Sequence, residues 1–117
     1  FNAVARNQDD HTRNISFLMD ADGSWRLAPA FDVIWSYNPG GEWTNRHQMS
    51  INGKVDGFRK KDLVEVARRF HIKKPLDILA EVGAAVERWP AFAEKAGVEQ
   101  KRIQSISVTH RLHLVPQ

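Results

Sequence analysis

Residues 7–33 read NQDDHTRNISFLMDADGSWRLAPAFDV, and this stretch decides the fold. The polar residues 6–14 are too rich in Asn and Asp for a helix interior or a strand, so they are predicted to form a loop. Two short apolar-rich runs follow, residues 15–19 and residues 25–28, and an Asp-Gly-containing cluster at residues 20–24 separates them. An Asp-Gly turn between apolar runs is typical of a β-hairpin. We therefore expect a hairpin directly after a polar loop.

The segment that follows the hairpin begins at Pro29. Proline cannot donate to a strand ladder, so it closes the second strand and leaves residues 30–33 as the continuation of the chain. Residues 34–57 contain Asn-Pro-Gly-Gly, then Trp43 and then an isolated apolar pair, Met49 and Ile51. This composition predicts a long irregular loop with at most one short strand, and long loops in compact domains are often functional.

The remainder of the chain, residues 58–117, has helical periodicity. Apolar residues spaced at helical intervals, together with Pro and Gly at the ends, predict three helices: one from Asp62 to His71, one from Pro75 to Trp89 that Pro90 kinks or ends, and one from about Val98 to Leu112. The residues expected on their apolar faces are Leu63, Val66, Ala67 and Phe70, then Leu79, Val82, Val86 and Trp89, then Ile103, Ile106 and His110. The predicted fold class is mainly α with a β-hairpin, an α+β arrangement.

Composition places the chain among folded globular proteins. It has 117 residues, of which 42% are hydrophobic and 26% charged, and four are tryptophans. This length corresponds to one domain. There is no apolar run near the ~18 residues that a membrane helix needs, so no membrane partner is expected. The absence of cysteine excludes disulfides and thiolate metal sites, and a reducing cytoplasm is the simplest location.

Charge and the first residues add two expectations. The formal charge of +3 and the pI near 9.5 suit a protein that meets phosphate, without choosing between ATP and nucleic acid. The chain begins with Phe1 rather than Met, and residues 1–5 resemble a helix cut partway along. We therefore expect the chain to be a piece of a longer protein.

One spacing carries the chemistry: Asp9, four residues, Asn14, a hairpin, and then Asp32. Phosphoryl transfer from ATP needs a carboxylate that orients the attacking hydroxyl and oxygen ligands that hold Mg²⁺ against the phosphates. Protein kinases place an Asp and an Asn five positions apart on one loop and a second Asp beyond a hairpin. Because a hairpin returns the chain to its starting point, Asp32 is expected beside Asn14, where both could share one cation.

Residues 7–18 and 25–33 resemble the catalytic and metal-binding segments of the HipA family, bacterial serine/threonine kinases that act as toxins in toxin–antitoxin operons. Residues 37–43 and 47–54 are similar to family sequence less diagnostically. The chain lacks a His-Arg-Asp triplet and a Gly after Asp32-Val33, which separates it from eukaryotic kinases.

The resemblance implies a fold, a site and partners. The chain would be part of the helical C-terminal lobe of a protein-kinase-like fold, with residues 1–33 carrying the site, 34–57 a long loop and 58–117 a helical bundle. Asp9 would be the catalytic aspartate, Asn14 and Asp32 the magnesium ligands, and ATP and Mg²⁺ the cofactors. The partners would be a HipB-like helix-turn-helix antitoxin that binds operator DNA and a protein substrate such as an aminoacyl-tRNA synthetase. Without a phosphate-covering loop and its lysine, the fragment alone would be inactive.

Other residues receive supporting or alternative interpretations. Asp10 and His11 are expected to support the site, with His11 bracing the loop through hydrogen bonds. Metal-dependent hydrolysis by Asp9, Asp10, His11 and Asp32 would leave the spacing of Asn14 unexplained. The basic tract at residues 59–74 includes five candidates for contact with nucleic acid or a partner: Arg59, Lys60, Lys61, Arg68 and Arg69. A non-catalytic helical binding module is therefore the alternative function, although a charge run is more often a solvated helix face.

Overall fold

A computed structural model of the chain describes residues 1–116, and the fold that it gives is mainly helical with one antiparallel hairpin. This confirms the predicted α+β class. The helices and strands, in chain order, are α1 (Asn2–Ala5), β1 (Phe17–Met19), β2 (Trp25–Leu27), α2 (Lys60–Arg69), α3 (Pro75–Glu87), α4 (Trp89–Lys95) and α5 (Gln100–Ser107). Two single 3₁₀ turns, Thr12–Asn14 and Leu112–Leu114, complete the regular structure. No helix within residues 1–116 is long and apolar enough to cross a membrane.

The hairpin forms where the Asp-Gly cluster predicted it. Strands β1 and β2 pair with Phe17 opposite Leu27 and Met19 opposite Trp25. The turn needs a residue in the left-handed region, and Gly23 supplies it at φ 86° without the steric cost of a Cβ atom. Because strand residues alternate between faces, these four large apolar side chains share one face, and all four are exposed.

The core lies between the first residues and the last. Val4 and Leu114 are almost fully buried, and they belong to a cluster that also contains Phe58, Val86 and Val115. The Arg111 amide donates to the Val4 carbonyl at 2.8 Å, which ties the end of the chain to α1. A Cβ atom at Gly83 would lie 2.9 Å from Val115 Cγ2, so α3 approaches the carboxyl-terminal segment as closely as a glycine allows. The core thereby joins segments about a hundred residues apart in sequence.

The first two predicted helices, observed as α2 and α3, end earlier than expected. Helix α2 stops at Arg69, and Phe70, predicted on its buried face, lies beyond the helix and is 71% exposed. Helix α3 stops at Glu87, whereas the prediction continued it to Trp89. Trp89 instead begins α4, with Pro90 in the first turn, where its missing N–H costs no helical hydrogen bond. Pro90 therefore lies in the first turn of α4, just after the end of α3.

The third predicted helix is shorter at both ends than expected. Helix α5 spans Gln100–Ser107 rather than residues 98–112. The chain then turns, and His110 lies outside the helix, where its ring packs edge-on against Trp89 at 6.2 Å. Burial lowers the pKa of His110. The turn after α5 also brings Arg111 into the interior, where it joins the network described below.

Candidate active site

The polar loop, residues 6–14, is held beside the segment that follows the hairpin. Helix α1 ends at Ala5, and the capping residue Arg6 has left-handed backbone geometry. The Gln8 amide then donates to the Ser36 carbonyl at 2.9 Å, and the Ser36 amide donates to the Arg6 carbonyl at 3.0 Å. These two bonds form a parallel bridge, so the chain passes the same place before and after the hairpin.

Asn14 and Asp32 lie in direct contact. The Asn14 side-chain nitrogen Nδ2 donates to Asp32 Oδ2 at 2.8 Å and to the Asp9 backbone carbonyl at 3.0 Å. Within residues 1–116 the carboxamide oxygen of Asn14 accepts no hydrogen bond, so it stays available as a ligand. The Asp9 side chain is partly exposed, with His11 Nε2 3.9 Å from its carboxylate. The structure thus brings Asn14 and Asp32 together and attaches them to the backbone of Asp9.

Asp32 has an unusual backbone conformation that Asn7 supports. Its φ of 53° lies in the left-handed region. The buried Asn7 donates through Nδ2 to the Asp32 carbonyl at 3.0 Å, which fixes the peptide on the carboxyl side of the metal-ligand candidate. Single residues in sparsely populated backbone regions concentrate at functional sites, where the surrounding structure holds them. Sequence reasoning did not identify Asn7 as a residue that holds Asp32.

The buried Asp10 braces the loop, which corrects the role predicted for His11. Asp10 Oδ2 accepts from His47 Nδ1 at 2.7 Å, and Oδ1 accepts from the Gln48 and Met49 amides at 2.8 and 3.3 Å. Burial works against the charged form, but the hydrogen bonds from His47 and the two amides outweigh it and lower the pKa of Asp10. His11 Nδ1, in contrast, is buried without a partner in the part of the chain that the structure describes. Both Asp10 oxygens accept hydrogen bonds from residues 47–49, so this carboxylate joins the loop to that segment.

His47 continues this network to Arg111. Its Nε2 lies 2.9 Å from Arg111 Nη1, and a guanidinium can only donate, so Nε2 must accept and Nδ1 must carry the proton. The network therefore runs in one direction, from Arg111 through a neutral His47 to Asp10. The same guanidinium donates to Gln8 Oε1 at 3.2 Å and pairs with Asp56. Burial, which opposes its charge, lowers the pKa of Arg111.

The basic tract behaves as a solvated helix face with internal ion pairs. Arg68 forms two hydrogen bonds to Glu65, of 2.9 and 2.8 Å, one helical turn away. Arg69 donates to Asn52 Oδ1 at 2.9 Å. Arg59, Lys60 and Lys61 are exposed at the start of α2. Contact of these five residues with nucleic acid or a partner stays a prediction.

A cleft of about 480 Å³ adjoins the contact between Asn14 and Asp32. The polar loop, residues 30–33 and residues 49–51 all contribute to its lining. In residues 1–116 no group of three or more His, Cys, Asp or Glu side chains could hold a metal ion. The donor set of one carboxamide and one carboxylate nevertheless suits Mg²⁺, which is commonly held by one or two carboxylates together with substrate phosphates and water.

The chain matches a known protein-family model. The family model described as HipA-like C-terminal domain matches residues 1–111. Neither a comparison with curated proteins nor one with solved structures gave a match. Because the matched residues are nearly the whole chain and include the polar loop, the hairpin and all five helices, the chain belongs to the HipA-like C-terminal domain family.

Proposed function

We propose that this chain carries the phosphoryl-transfer centre of a HipA-like serine/threonine protein kinase that depends on ATP and Mg²⁺. The observation that supports it most is the 2.8 Å contact between the Asn14 amide and the Asp32 carboxylate, formed across 18 residues of sequence and beside Asp9. A turn-forming role alone would satisfy Asn14 and Asp32 locally and would not require the two to meet.

Each of the three residues has a role in this proposal. The Asp9 carboxylate orients the serine or threonine hydroxyl and takes its proton as the hydroxyl oxygen attacks the γ-phosphorus, with ADP leaving. The Asn14 carboxamide oxygen and an Asp32 carboxylate oxygen hold Mg²⁺. When bound, the cation neutralises charge on the phosphate oxygens. Asn7 and the Asn14 amide keep the Asp32 carboxylate in place.

The rest of the kinase machinery is proposed to come from outside these residues. Kinases cover the ATP phosphates with a glycine-rich loop and pair them with a strand lysine, and the 117 residues contain no such loop. We propose that the chain alone transfers no phosphate. By resemblance, the partners are a HipB-like antitoxin that binds operator DNA and a protein substrate such as an aminoacyl-tRNA synthetase, met in the cytoplasm.

The test uses the full-length protein that contains this chain. We expect Asp9→Asn and Asp32→Asn each to lower the rate of phosphoryl transfer from [γ-³²P]ATP by at least about 100-fold, because they remove a general base and a metal ligand. Both variants should keep the wild-type circular dichroism spectrum. Asp77→Asn, an exposed change in the first turn of α3, is the matched control and should keep full activity. Wild-type activity in Asp9→Asn would refute the proposal.

A further inference from the structure

We propose that Asp10, oriented by His47 and Arg111, is the positioning residue that holds residues 47–49, and with them the cleft-lining residues 49–51, against the candidate catalytic loop. This inference rests on the proposed function for its consequence in phosphoryl transfer. Its structural part, that the Asp10 carboxylate connects the polar loop to residues 47–49, depends only on contacts within the chain. Asp10 and His47 lie 37 positions apart in the sequence, and His47 and Arg111 lie 64 positions apart.

Asp10 sits directly after Asp9, and the two side chains have opposite environments. Asp9 is partly exposed, whereas Asp10 is 6% exposed. All three donors to the Asp10 carboxylate come from consecutive residues, His47, Gln48 and Met49. A single carboxylate therefore fixes both the direction and the distance of that segment relative to the loop that carries Asp9. Movement of the segment would displace Asp10 and its neighbour together.

The segment fixed in this way faces the cleft. Met49, Ser50 and Ile51 line it together with Asn14 and Asp32, and Asp10 itself belongs to the lining. The separation between residues 49–51 and the loop that carries Asp9 and Asn14 therefore depends on the hydrogen bonds to Asp10. A displacement of about 1 Å in a reacting group can cost about 100-fold in rate.

The direction of the network explains why Asp10 must be a carboxylate. Arg111 can only donate and the Asp10 carboxylate can only accept, so His47 has a single compatible tautomer between them. Asn at position 10 would turn one carboxylate oxygen into an amide that donates. The new side-chain NH₂ group would then face either the His47 Nδ1 proton or the Gln48 amide proton, and two donors cannot form a hydrogen bond with each other. A change of His47 tautomer would move the same conflict to Arg111.

The contacts also define His47 as a positioning residue rather than a catalytic one. Its side chain is fully buried, and both ring nitrogens are used by Asp10 and Arg111. Phe58, which is also buried, packs against its ring at a centroid distance of 5.0 Å. No substrate atom could reach the imidazole. His47 can therefore affect the reaction only indirectly, through its contacts with Asp10, Arg111 and Phe58.

Two substitutions at position 47 separate the two bonds. Asn places its amide nitrogen near the position of Nδ1 and can still donate to Asp10, whereas Gln places its amide near Nε2 and can still accept from Arg111. Both remove one partner from the same buried site, so a merely structural role predicts similar losses. Positioning through Asp10 predicts that His47→Asn keeps the rate within about threefold and that His47→Gln and Asp10→Asn lower it by about 10-fold to 100-fold.

The experiment has two arms. In the full-length protein, phosphoryl transfer is measured against MgATP concentration, and we expect kcat to fall in His47→Gln and Asp10→Asn while the KM for MgATP stays within twofold. In the same full-length protein, hydrogen exchange of the Gln48 and Met49 amides is followed, and we expect at least about tenfold faster exchange in the same two variants. Asp62→Asn is the matched control, because this buried carboxylate also accepts three hydrogen bonds but lies on α2.

The outcomes separate this inference from the proposed function. Equal loss of kcat in His47→Asn and His47→Gln, or unchanged exchange of both amides in Asp10→Asn, would overturn the positioning role. If wild-type protein transfers no phosphate, or Asp9→Asn stays active, the kinase proposal fails, and the exchange arm still decides whether Asp10 joins the two loops. If Asp10→Asn does not fold, the pair at position 47 decides in the same way.

Discussion

Two buried carboxylates, Asp10 and Asp62, fasten opposite ends of the same irregular segment. Asp10 holds residues 47–49 to the polar loop. Asp62 accepts from Lys54 Nζ at 2.7 Å, from Asn52 Nδ2 at 3.0 Å and from the Arg59 amide at 2.9 Å, which holds residues 52–54 to the start of α2. The number of hydrogen bonds is the same, but the partners differ. Asp10 receives a neutral imidazole and backbone amides deep in the fold, whereas the Lys54 side chain is 39% exposed.

The difference teaches how one segment can serve both the site and the scaffold. The Asp62 contacts cap α2 and close the turn at residues 51–54, so they stabilise local structure. The Asp10 contacts join two segments that both line the cleft, so they determine the shape of the site. Substitution of either carboxylate should lower the free energy of unfolding, whereas only substitution of Asp10 should lower the rate of phosphoryl transfer.

The largest effect on this comparison is expected from Arg111→Ala. The change leaves Asp56, Gln8 and His47 without the donor that they share, and it removes the guanidinium that packs on Phe58. Removing one member of a buried charged network costs about 3 kcal/mol or more. Urea unfolding followed by tryptophan fluorescence measures it. Arg88→Ala, at an exposed arginine stacked on Phe92, is the control and should cost less than about 1 kcal/mol. A similar small cost for Arg111→Ala would contradict the network.

Acid should weaken the Asp62 contacts in a characteristic way. Hydrogen bonds from Lys54 and Asn52 hold the pKa of Asp62 far below its ordinary value of 3.8, and the pKa of Asp10 is also lowered. The unfolded chain then binds protons before the folded chain does. The stability from these carboxylates is present above pH 3.8 and is lost as the pH falls toward their folded-state pKa values.

Urea unfolding between pH 5 and pH 2.5 tests this expectation. We expect the free energy of unfolding to fall with decreasing pH, and the slope below about pH 4 to be smaller in Asp62→Asn than in the wild type. Asp77→Asn, which removes an exposed carboxylate, should leave the slope unchanged. A wild-type slope in Asp62→Asn would mean that its carboxylate makes no net contribution.

The smallest effect is expected from Lys54→Met. Methionine keeps the aliphatic length and removes the ammonium group that lies 2.7 Å from Asp62 Oδ2. Because the lysine is partly exposed and Asp62 keeps two other donors, the cost should be within about 1 kcal/mol and should shrink at high salt. Thermal unfolding at low and high NaCl measures both. A loss of stability as large as that of Arg111→Ala would contradict the expected difference between the contacts at residues 47–49 and those at residues 52–54.

The parts of the fold that depend on local patterns could be predicted from sequence. The hairpin follows from its Asp-Gly turn, and the contact between Asn14 and Asp32 follows from the geometry of a hairpin. Apolar periodicity placed α2, α3 and α5 but not their ends, and it missed α4, because Pro90 can begin a helix as readily as it ends one. Phe70 fits the periodic stripe and yet lies past the end of α2.

The buried network could not be predicted, because its members are far apart and carry no shared pattern. His47 lies in an irregular loop, and Arg111 was assigned to a helix that ends before it. The available signal was compositional: a histidine in a loop that resembles family sequence and an arginine beside the final apolar residues. Asp10 and His11 were both predicted to support the site, with His11 bracing the loop through hydrogen bonds. Burial, which selects Asp10 instead, depends on long-range packing.

The left-handed backbone at Asp32 decides which substitution tests its carboxylate cleanly. Alanine resists that conformation by roughly 1–2 kcal/mol, so Asp32→Ala would change the chain path together with the charge. Asparagine tolerates it nearly as well as aspartate, so Asp32→Asn removes only the negative charge and keeps the oxygen that faces Asn14. A difference in rate between the Asn and Ala variants would then contain the effects of the peptide geometry and of the retained side-chain oxygen, whereas the Asn variant alone reports the loss of the charge.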